Sequence, residues 1–213
     1  SMDDIFPEDT RKDAYIRECN YFESSWIENL GNETFRIHSL PVEAQFSPVF
    51  GIIADDYNND GNCDLILTGN SYSSNVFTGQ YDASIGLFLS GDGEGGFIPV
   101  LGRNSGFFVD GDAKALAELS LKDGSSLILA AQNSDTLKVF KPVSKSPGSI
   151  RLRKDEVYAE VTFRNGKKNY HEFHYGSGYM SQSSRVLKIP ENAVSVEITT
   201  YKGEKRSIQV GKK

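Results

Sequence analysis

The stretch Val49-Phe50-Gly51-Ile52-Ile53-Ala54-Asp55-Asp56-Tyr57-Asn58-Asn59-Asp60-Gly61-Asn62-Cys63-Asp64-Leu65-Ile66-Leu67-Thr68-Gly69 decides how the chain is read. Two apolar runs flank a polar loop too short for a helix, so strand, loop, strand is the economical assignment. Within the loop Asp56, Asn58, Asp60 and Asp64 stand at positions 1, 3, 5 and 9, with Gly61 at position 6. Calcium takes about six to eight oxygen ligands, and a short acidic loop supplies them when a glycine permits the sharp turn. Three carboxylates crowded together repel one another unless a cation neutralises them. The expected ligands are therefore Asp56, Asn58, Asp60, Asn62 through its backbone carbonyl, and Asp64, with calcium as the ion. An EF-hand would carry a bidentate Glu at position 12, where this chain has Leu67 inside an apolar strand. The other reading of Asn58-Asn59-Asp60-Gly61 is a turn whose side chains bond their own backbone, and the residue types suit both. Asp55 is expected to be solvated or to support the loop from behind.

Working outward, short extended runs alternate with Gly-Asn, Asp-Gly and Asn-Gly turns. Trp26–Leu30, the turn Gly31-Asn32 and Phe35–His38 read as a hairpin, as do Ile85–Leu89 and Phe97–Val100 around Asp92-Gly93-Glu94-Gly95-Gly96. Ala115–Leu121 has helical composition, but Asp123-Gly124 ties it directly to the apolar strand Leu127–Ala131, so a strand is preferred. Lys141–Gly148 holds two prolines and no core pattern, and reads as the linker between domains. Beyond it Val157–Phe163, Asn169–His174 and Ala193–Thr199 alternate again, with Asn165-Gly166 as a hairpin turn. The expected organisation is an N-terminal tether over 1–19, a β-rich domain over 20–144 and a small β-sandwich or barrel-like domain over 145–213. Ser1-Met2 reads as a cloning remnant.

The bulk properties agree with a β-rich globule: 213 residues, 13 Phe and 10 Tyr against one Trp, and 20 Gly. A net charge of −6 argues against nucleic acid or an anionic membrane as the main partner, since both need clustered Lys and Arg. No apolar run approaches the roughly 20 residues of a membrane-crossing helix. Cys19 and Cys63 are too few for a disulfide framework. Catalytic patterns fail on geometry. His171 and His174 lie three apart in an extended segment and face opposite ways, the cysteines lack CxxC spacing, and Gly176-Ser177-Gly178 lacks the glycine spacing of a nucleophile elbow. No catalytic residue is assigned, and the chain reads as a non-enzyme.

Asp56–Leu65 resembles the D-x-N-x-D-G-x-x-D-L core of FG-GAP/VCBS repeats, the blades of integrin-type β-propellers. Glu28-Asn29-Leu30-Gly31-Asn32-Glu33-Thr34-Phe35 resembles the N-x-G-x-G-x-F string of the same family, departing from it at Glu33 and Thr34. Gly91-Asp92-Gly93-Glu94-Gly95-Gly96-Phe97 is a second echo, and Gly111-Asp112-Ala113-Lys114 a worn third. Gly176-Ser177-Gly178-Tyr179-Met180-Ser181-Gln182-Ser183 is similar to the ASPIC/UnbV domain that follows such repeats, whose later G-L-G and W-P-x-G elements are altered here to Ile189-Pro190-Glu191 and Thr200-Tyr201-Lys202-Gly203.

The resemblance implies an all-β fold, a partial β-propeller of two to three blades followed by the small β domain. It implies a calcium-stabilised, extracellular or cell-surface scaffold for adhesion or assembly, secreted or associated with an outer membrane, with a protein or glycan ligand. Propellers have about four to eight blades, so this stretch is expected to continue in a larger protein or to pair an edge with a second chain. Two alternatives stay open. One is a carbohydrate-binding accessory using aromatics such as Trp26, Tyr72, Tyr81 and Tyr179, although core packing is the expected fate of most of these. The other is a fragment of a polysaccharide-degrading enzyme, for which Lys114 and Arg151 are the available basic residues.

Overall fold

Turn chemistry sets the architecture, because most connections between the described strands contain a residue at positive φ. In a computed structural model, which describes residues 2–7, 10, 12–15, 17–143 and 148–210, the chain divides into two compact units, Ser1–Ser39 and Leu40–Lys213. Both are built on antiparallel sheets, with no closed barrel among the described residues. The fold is all-β.

The first unit has one short helix, α1 (Met2–Ile5), and the hairpin β1 (Ser25–Gly31) and β2 (Thr34–Ser39). Its two turn residues, Asn32 and Glu33, both have positive φ, 50° and 61°, as a two-residue type I′ turn requires. Glu33 is thus held in a conformation that glycine adopts at no steric cost. Trp26 stacks on its cross-strand partner His38 at 4.3 Å, and His38 Nε2 lies 2.9 Å from Glu28 Oε2. Ile27, Phe35 and Ile37 alternate with these residues and are exposed.

The second unit begins with a 3₁₀ turn (Val42–Gln45) and a four-stranded sheet in the order β3 (Val49–Asp55), β4 (Asp64–Gly69), β5 (Leu87–Gly91), β6 (Phe97–Val100). After a single helical turn, α2 (Gly102–Ser105), comes a three-stranded sheet, β7 (Ala113–Ser120), β8 (Ser126–Gln132) and β9 (Lys138–Phe140). Ala115–Leu119 is therefore strand, as the short Asp123-Gly124 turn demands. The two sheets share a core of Ile66, Phe107, Val109, Ala113, Leu116, Ile128 and Ala130, with Ile53, Tyr57, Phe88 and Phe140 packed against it. Gly51 allows the close approach of β3 and β7, because a Cβ there would sit 2.9 Å from both the Leu116 side chain and its backbone nitrogen.

The linker reading over Lys141–Gly148 falls largely on residues 144–147, outside the described residues. Gly148 already belongs to β10 (Gly148–Arg151), which pairs with β13 (Val186–Ile189). A four-stranded sheet in the order β12 (Lys168–Glu172), β11 (Glu156–Phe163), β14 (Ala193–Thr200), β15 (Lys205–Gln209) completes this part. The alternating residues Ala159, Val161, Val196 and Ile198 of the larger sheet and Leu187 and Ile189 of the smaller one form a second, separate core. The Leu40–Lys213 unit thus holds two cores.

Beside the second core Glu156 is buried and bonded through both carboxylate oxygens to the Arg206 guanidinium, with Oε2 also accepting the Arg153 N–H at 2.7 Å. The bond from Arg206 outweighs burial and holds the Glu156 carboxyl below the usual glutamate range. A depressed folded pKa contributes stability that is present above the unfolded value and is lost as pH falls through the folded one. Urea unfolding of Glu156→Gln at neutral pH is expected to show a loss of roughly 2–3 kcal/mol, below the range for a fully buried pair because Arg206 is partly exposed. The gap between variant and parent should close as pH falls below 4.5, the ordinary glutamate value; a gap that persists in acid would contradict the assignment.

Candidate metal centre

The last registered pair of the β3–β4 ladder is Asp55 with Asp64, so residues 56–63 form the connecting loop. Asn59 and Gly61 have φ of 63° and 87°, and these two left-handed residues coil the loop back on itself. Asp56 lies at its mouth: its Oδ1 accepts the Asp60 N–H at 3.2 Å and its Oδ2 the Gly61 N–H at 3.0 Å. Asn58 Oδ1 accepts the Asp60 N–H at 2.8 Å, and Asp60 Oδ1 accepts the Asn62 N–H at 2.8 Å. These side-chain to i+2 bonds are successive Asx turns, so the self-bonded reading of the loop is realised.

Asp64 differs from the others. It is fully buried, at 0% exposure, where its Oδ2 accepts the Tyr57 N–H at 3.0 Å and its Oδ1 the Gly91 N–H at 3.0 Å. Burial raises its pKa and the carboxylates of Asp60 and Asp56 raise it further, against the lowering effect of the two N–H bonds. Among the described residues no Lys, Arg or His pairs with Asp56, Asp60 or Asp64.

Asp112, the buried aspartate at the start of the three-stranded sheet, shows what the same burial looks like when it is neutralised from within. It is 2% exposed, pairs with Lys114 Nζ at 2.6 Å and accepts the Asn133 amide at 3.2 Å and the Tyr72 N–H at 3.3 Å. Burial raises its pKa, but these partners outweigh it and leave the carboxyl below the usual range. The Gly111-Asp112-Ala113-Lys114 string thus carries its own cation, a lysine.

The oxygen-rich, cation-free loop fits a hard divalent ion by the chemistry of its donors. A carboxylate offers about four lone-pair sites, and the bonds described above leave some of them free on Asp56, Asp60 and Asp64. The order of the loop's amides is less direct. Asn58 turns Nδ2 toward Asp60 Oδ2 at 2.8 Å and Ser90 Oγ at 3.1 Å, so as a ligand it would have to present Oδ1 instead. Among the described residues no group of three or more His, Cys, Asp and Glu has the spacing of a metal site. The loop's set is of another kind, since it draws on Asn58 and the Asn62 carbonyl.

Residues outside the loop complete the arrangement. Gly91 lies so close that a Cβ would run into the Cys63 carbonyl, and a Cβ on Gly93 would strike the Asn62 side chain. The β5–β6 hairpin therefore closes over the acidic loop, while its own Asp92 only bonds the turn, accepting the Glu94 and Gly96 N–H groups at 2.8 Å each. Sequence reasoning assigned these glycines to the turn alone. Glycine at Gly91, before the turn and inside a strand, was the available signal of a close backbone approach.

Other residues singled out from the sequence fall elsewhere. Of the two roles expected for Asp55, the structure favours support of the loop: it is half-buried, its Oδ1 accepts the Asp56 N–H at 2.9 Å and its Oδ2 pairs with Lys188 at 2.5 Å. Lys114 is engaged by Asp112, by the Asn70 carbonyl at 2.7 Å and by the Phe50 ring at 4.0 Å, and Arg151 is exposed on β10. Cys19 and Cys63 are free thiols. His174 pairs with Glu172 at 2.9 Å, while His171 is half-buried with its pKa lowered by burial. Tyr72, Tyr81 and Tyr179 are exposed, contrary to the expectation of core packing. No protein-family model matches the chain, and no curated protein matches it.

Gly91→Ala is expected to push the hairpin off the loop and to destabilise by about 1–3 kcal/mol, the usual range for forcing atoms into a packed site. The same change at Gly106, where a Cβ meets nothing within 4 Å, should show only the milder strain of its positive φ. Chemical denaturation of both variants checks this, and equal losses would remove the close-approach argument.

Proposed function

We propose that the chain is part of a calcium-stabilised interaction scaffold of the FG-GAP/VCBS type and is not an enzyme. The single observation that carries this reading is Asp64, a fully buried carboxylate that shares its loop with Asp56 and Asp60, with no cationic side chain paired to any of the three among the described residues. Desolvating charge of one sign is costly unless an opposite charge arrives, and the neighbouring Asp112 has its lysine while Asp64 has none. In this reading the ion is held by Asp56, Asn58, Asp60, the Asn62 carbonyl and Asp64. It would neutralise the loop and clamp β3, β4 and the β5–β6 hairpin together.

The four-stranded β3–β6 sheet and the three-stranded β7–β9 sheet are then successive blades, and the residues from Gly148 onward an ASPIC/UnbV-like domain. No helix among the described residues is long and apolar enough to cross a membrane. Extracellular or cell-surface placement, with a protein or glycan ligand, follows from the family resemblance. The exposed Tyr81, in the Ser71–Tyr81 bridge, and Tyr72, next to it, favour a second reading as a carbohydrate-binding accessory. Tyrosines that face solvent suit stacking on sugar rings, and a glycan array on wild type and Tyr72→Ala/Tyr81→Ala separates that reading from the first.

Thermal unfolding in calcium and then in chelator tests the scaffold reading. With free calcium at about 100 times its Kd the expected stabilisation is about 2.7 kcal/mol. Asp64→Asn should abolish the calcium response while Asp92→Asn retains it. An unchanged unfolding midpoint in calcium and chelator would remove the metal from the proposal.

A further inference from the structure

Within the Leu40–Lys213 unit the second core meets the first along a line of polar contacts that begins at the acidic loop. Lys188, in β13, places Nζ 2.5 Å from Asp55 Oδ2 and 2.5 Å from Glu118 Oε1. The side chains are mostly enclosed, at 26% exposure for Lys188, 28% for Asp55 and 13% for Glu118. Tyr57 completes the cluster, its ring centre 5.3 Å from Lys188 Nζ and its hydroxyl donating to Glu118 Oε2 at 3.4 Å. Beside it the segment before β13 binds β7: Ser183 Oγ accepts the Glu118 N–H at 3.0 Å, Ser184 Oγ accepts the Ser120 N–H at 3.1 Å, and the Ser184 N–H donates to the Glu118 carbonyl at 2.7 Å. Two serines thus satisfy strand groups of β7 that would otherwise stand open.

Asp55-Asp56-Tyr57 takes part in both assemblies. Asp55 Oδ1 accepts the Asp56 N–H at 2.9 Å while its Oδ2 holds Lys188. Tyr57 donates its backbone N–H to Asp64 Oδ2, and its side chain reaches Lys188 and Glu118. Asp56, between them, binds the loop backbone at Asp60 and Gly61. Neither Asp55 nor Tyr57 can shift without moving a carboxylate of the loop, and the loop cannot open without displacing two of the three groups around Lys188.

We propose that the acidic loop and the Lys188 junction form one coupled element, so that a divalent cation in the loop seats the C-terminal core on β7. The inference rests on the calcium reading given above. With the ion absent, repulsion among Asp56, Asp60 and Asp64 loosens the tripeptide, and Lys188 loses the fixed geometry of Asp55 and Tyr57. By thermodynamic reciprocity, breaking the junction must weaken the ion's affinity by the factor by which the ion strengthens the junction.

Hydrogen exchange measured by mass spectrometry on the whole chain, with and without calcium, tests this alongside calorimetric titration of calcium. Calcium is expected to slow exchange about fivefold or more, the lower range of site-to-site coupling, in peptides covering residues 116–121 and 183–189 as well as in the loop. Lys188→Met and, as a milder change that leaves no unpaired carboxylates facing each other, Tyr57→Leu should each weaken calcium binding by the factor of protection they remove, although neither is a ligand. Calcium binding with protection confined to residues 55–64, or wild-type affinity in both folded variants, would overturn the coupling and leave the metal site standing. Absence of any binding heat or protection in the parent chain would overturn the metal site and the coupling with it.

Discussion

The buried carboxylate of Asp64 accepts one N–H from its own loop and one from a different strand, and the first core is organised around that pair of bonds. Through Tyr57 it fixes where the β3–β4 connection turns; through Gly91 it fixes how close β5 comes. A carboxylate is suited to this because it accepts from several directions at once. An apolar side chain of the same volume would fill the space but leave two backbone donors without partners, which costs more than the filling returns. The glycines follow from the same constraint. Only a residue without a Cβ lets the hairpin backbone approach the Cys63 carbonyl and the Asn62 side chain, so Gly91 and Gly93 are consequences of Asp64 as much as of the turn they border.

Two buried aspartates in adjacent sheets meet the cost of burial differently. Asp112 brings its own cation, two residues along the chain, and its carboxyl is held in the ionised form. Asp64 has no such partner among the described residues; burial pushes its proton affinity up, and the carboxylates of Asp60 and Asp56 push it further. The first arrangement is self-contained and should be indifferent to the medium. In the calcium reading proposed above, the second takes its positive charge from outside the chain, and the stability of the first sheet then depends on the solution as well as on the chain.

How far the sequence was legible follows from where information lies. The hairpins β1–β2, β5–β6 and β11–β12 were readable because each turn carries residues that suit left-handed backbone, and β7 because Asp123-Gly124 leaves no length for a helix end. β10, β13 and β15 were not read: each is short, and Ser149, Lys188, Lys205 and Arg206 interrupt the apolar pattern with residues whose partners are distant. The β3–β4 connection was legible from the apolar runs on either side of it. Its closure by Gly91 was not, because a glycine beside Asp-Gly already has an explanation in the turn. The pairing of Asp55 with Lys188 was not legible for a similar reason, since Lys188 lies in a strand that local pattern does not announce. Side chains whose role depends on neighbours in sequence could be assigned; those whose role depends on neighbours in space could not.

The join between the two cores differs in kind from the cores themselves. Each core is sealed by apolar residues, and burial of that sort is strong, non-directional and insensitive to small displacements. The line from Asp55 through Lys188 and Glu118 to Ser183 and Ser184 is instead made of directed polar bonds, three of which end on Glu118 through its carboxylate, its N–H and its carbonyl. Such bonds weaken steeply when angles and distances change, and a lysine between two carboxylates is well placed only while both are held. A polar join of this type is stable when its supporting backbone is rigid and weak when it is not. Because the backbone supporting Asp55 and Tyr57 is the acidic loop, whatever settles the charge of that loop also settles how firmly the second core is held to the first.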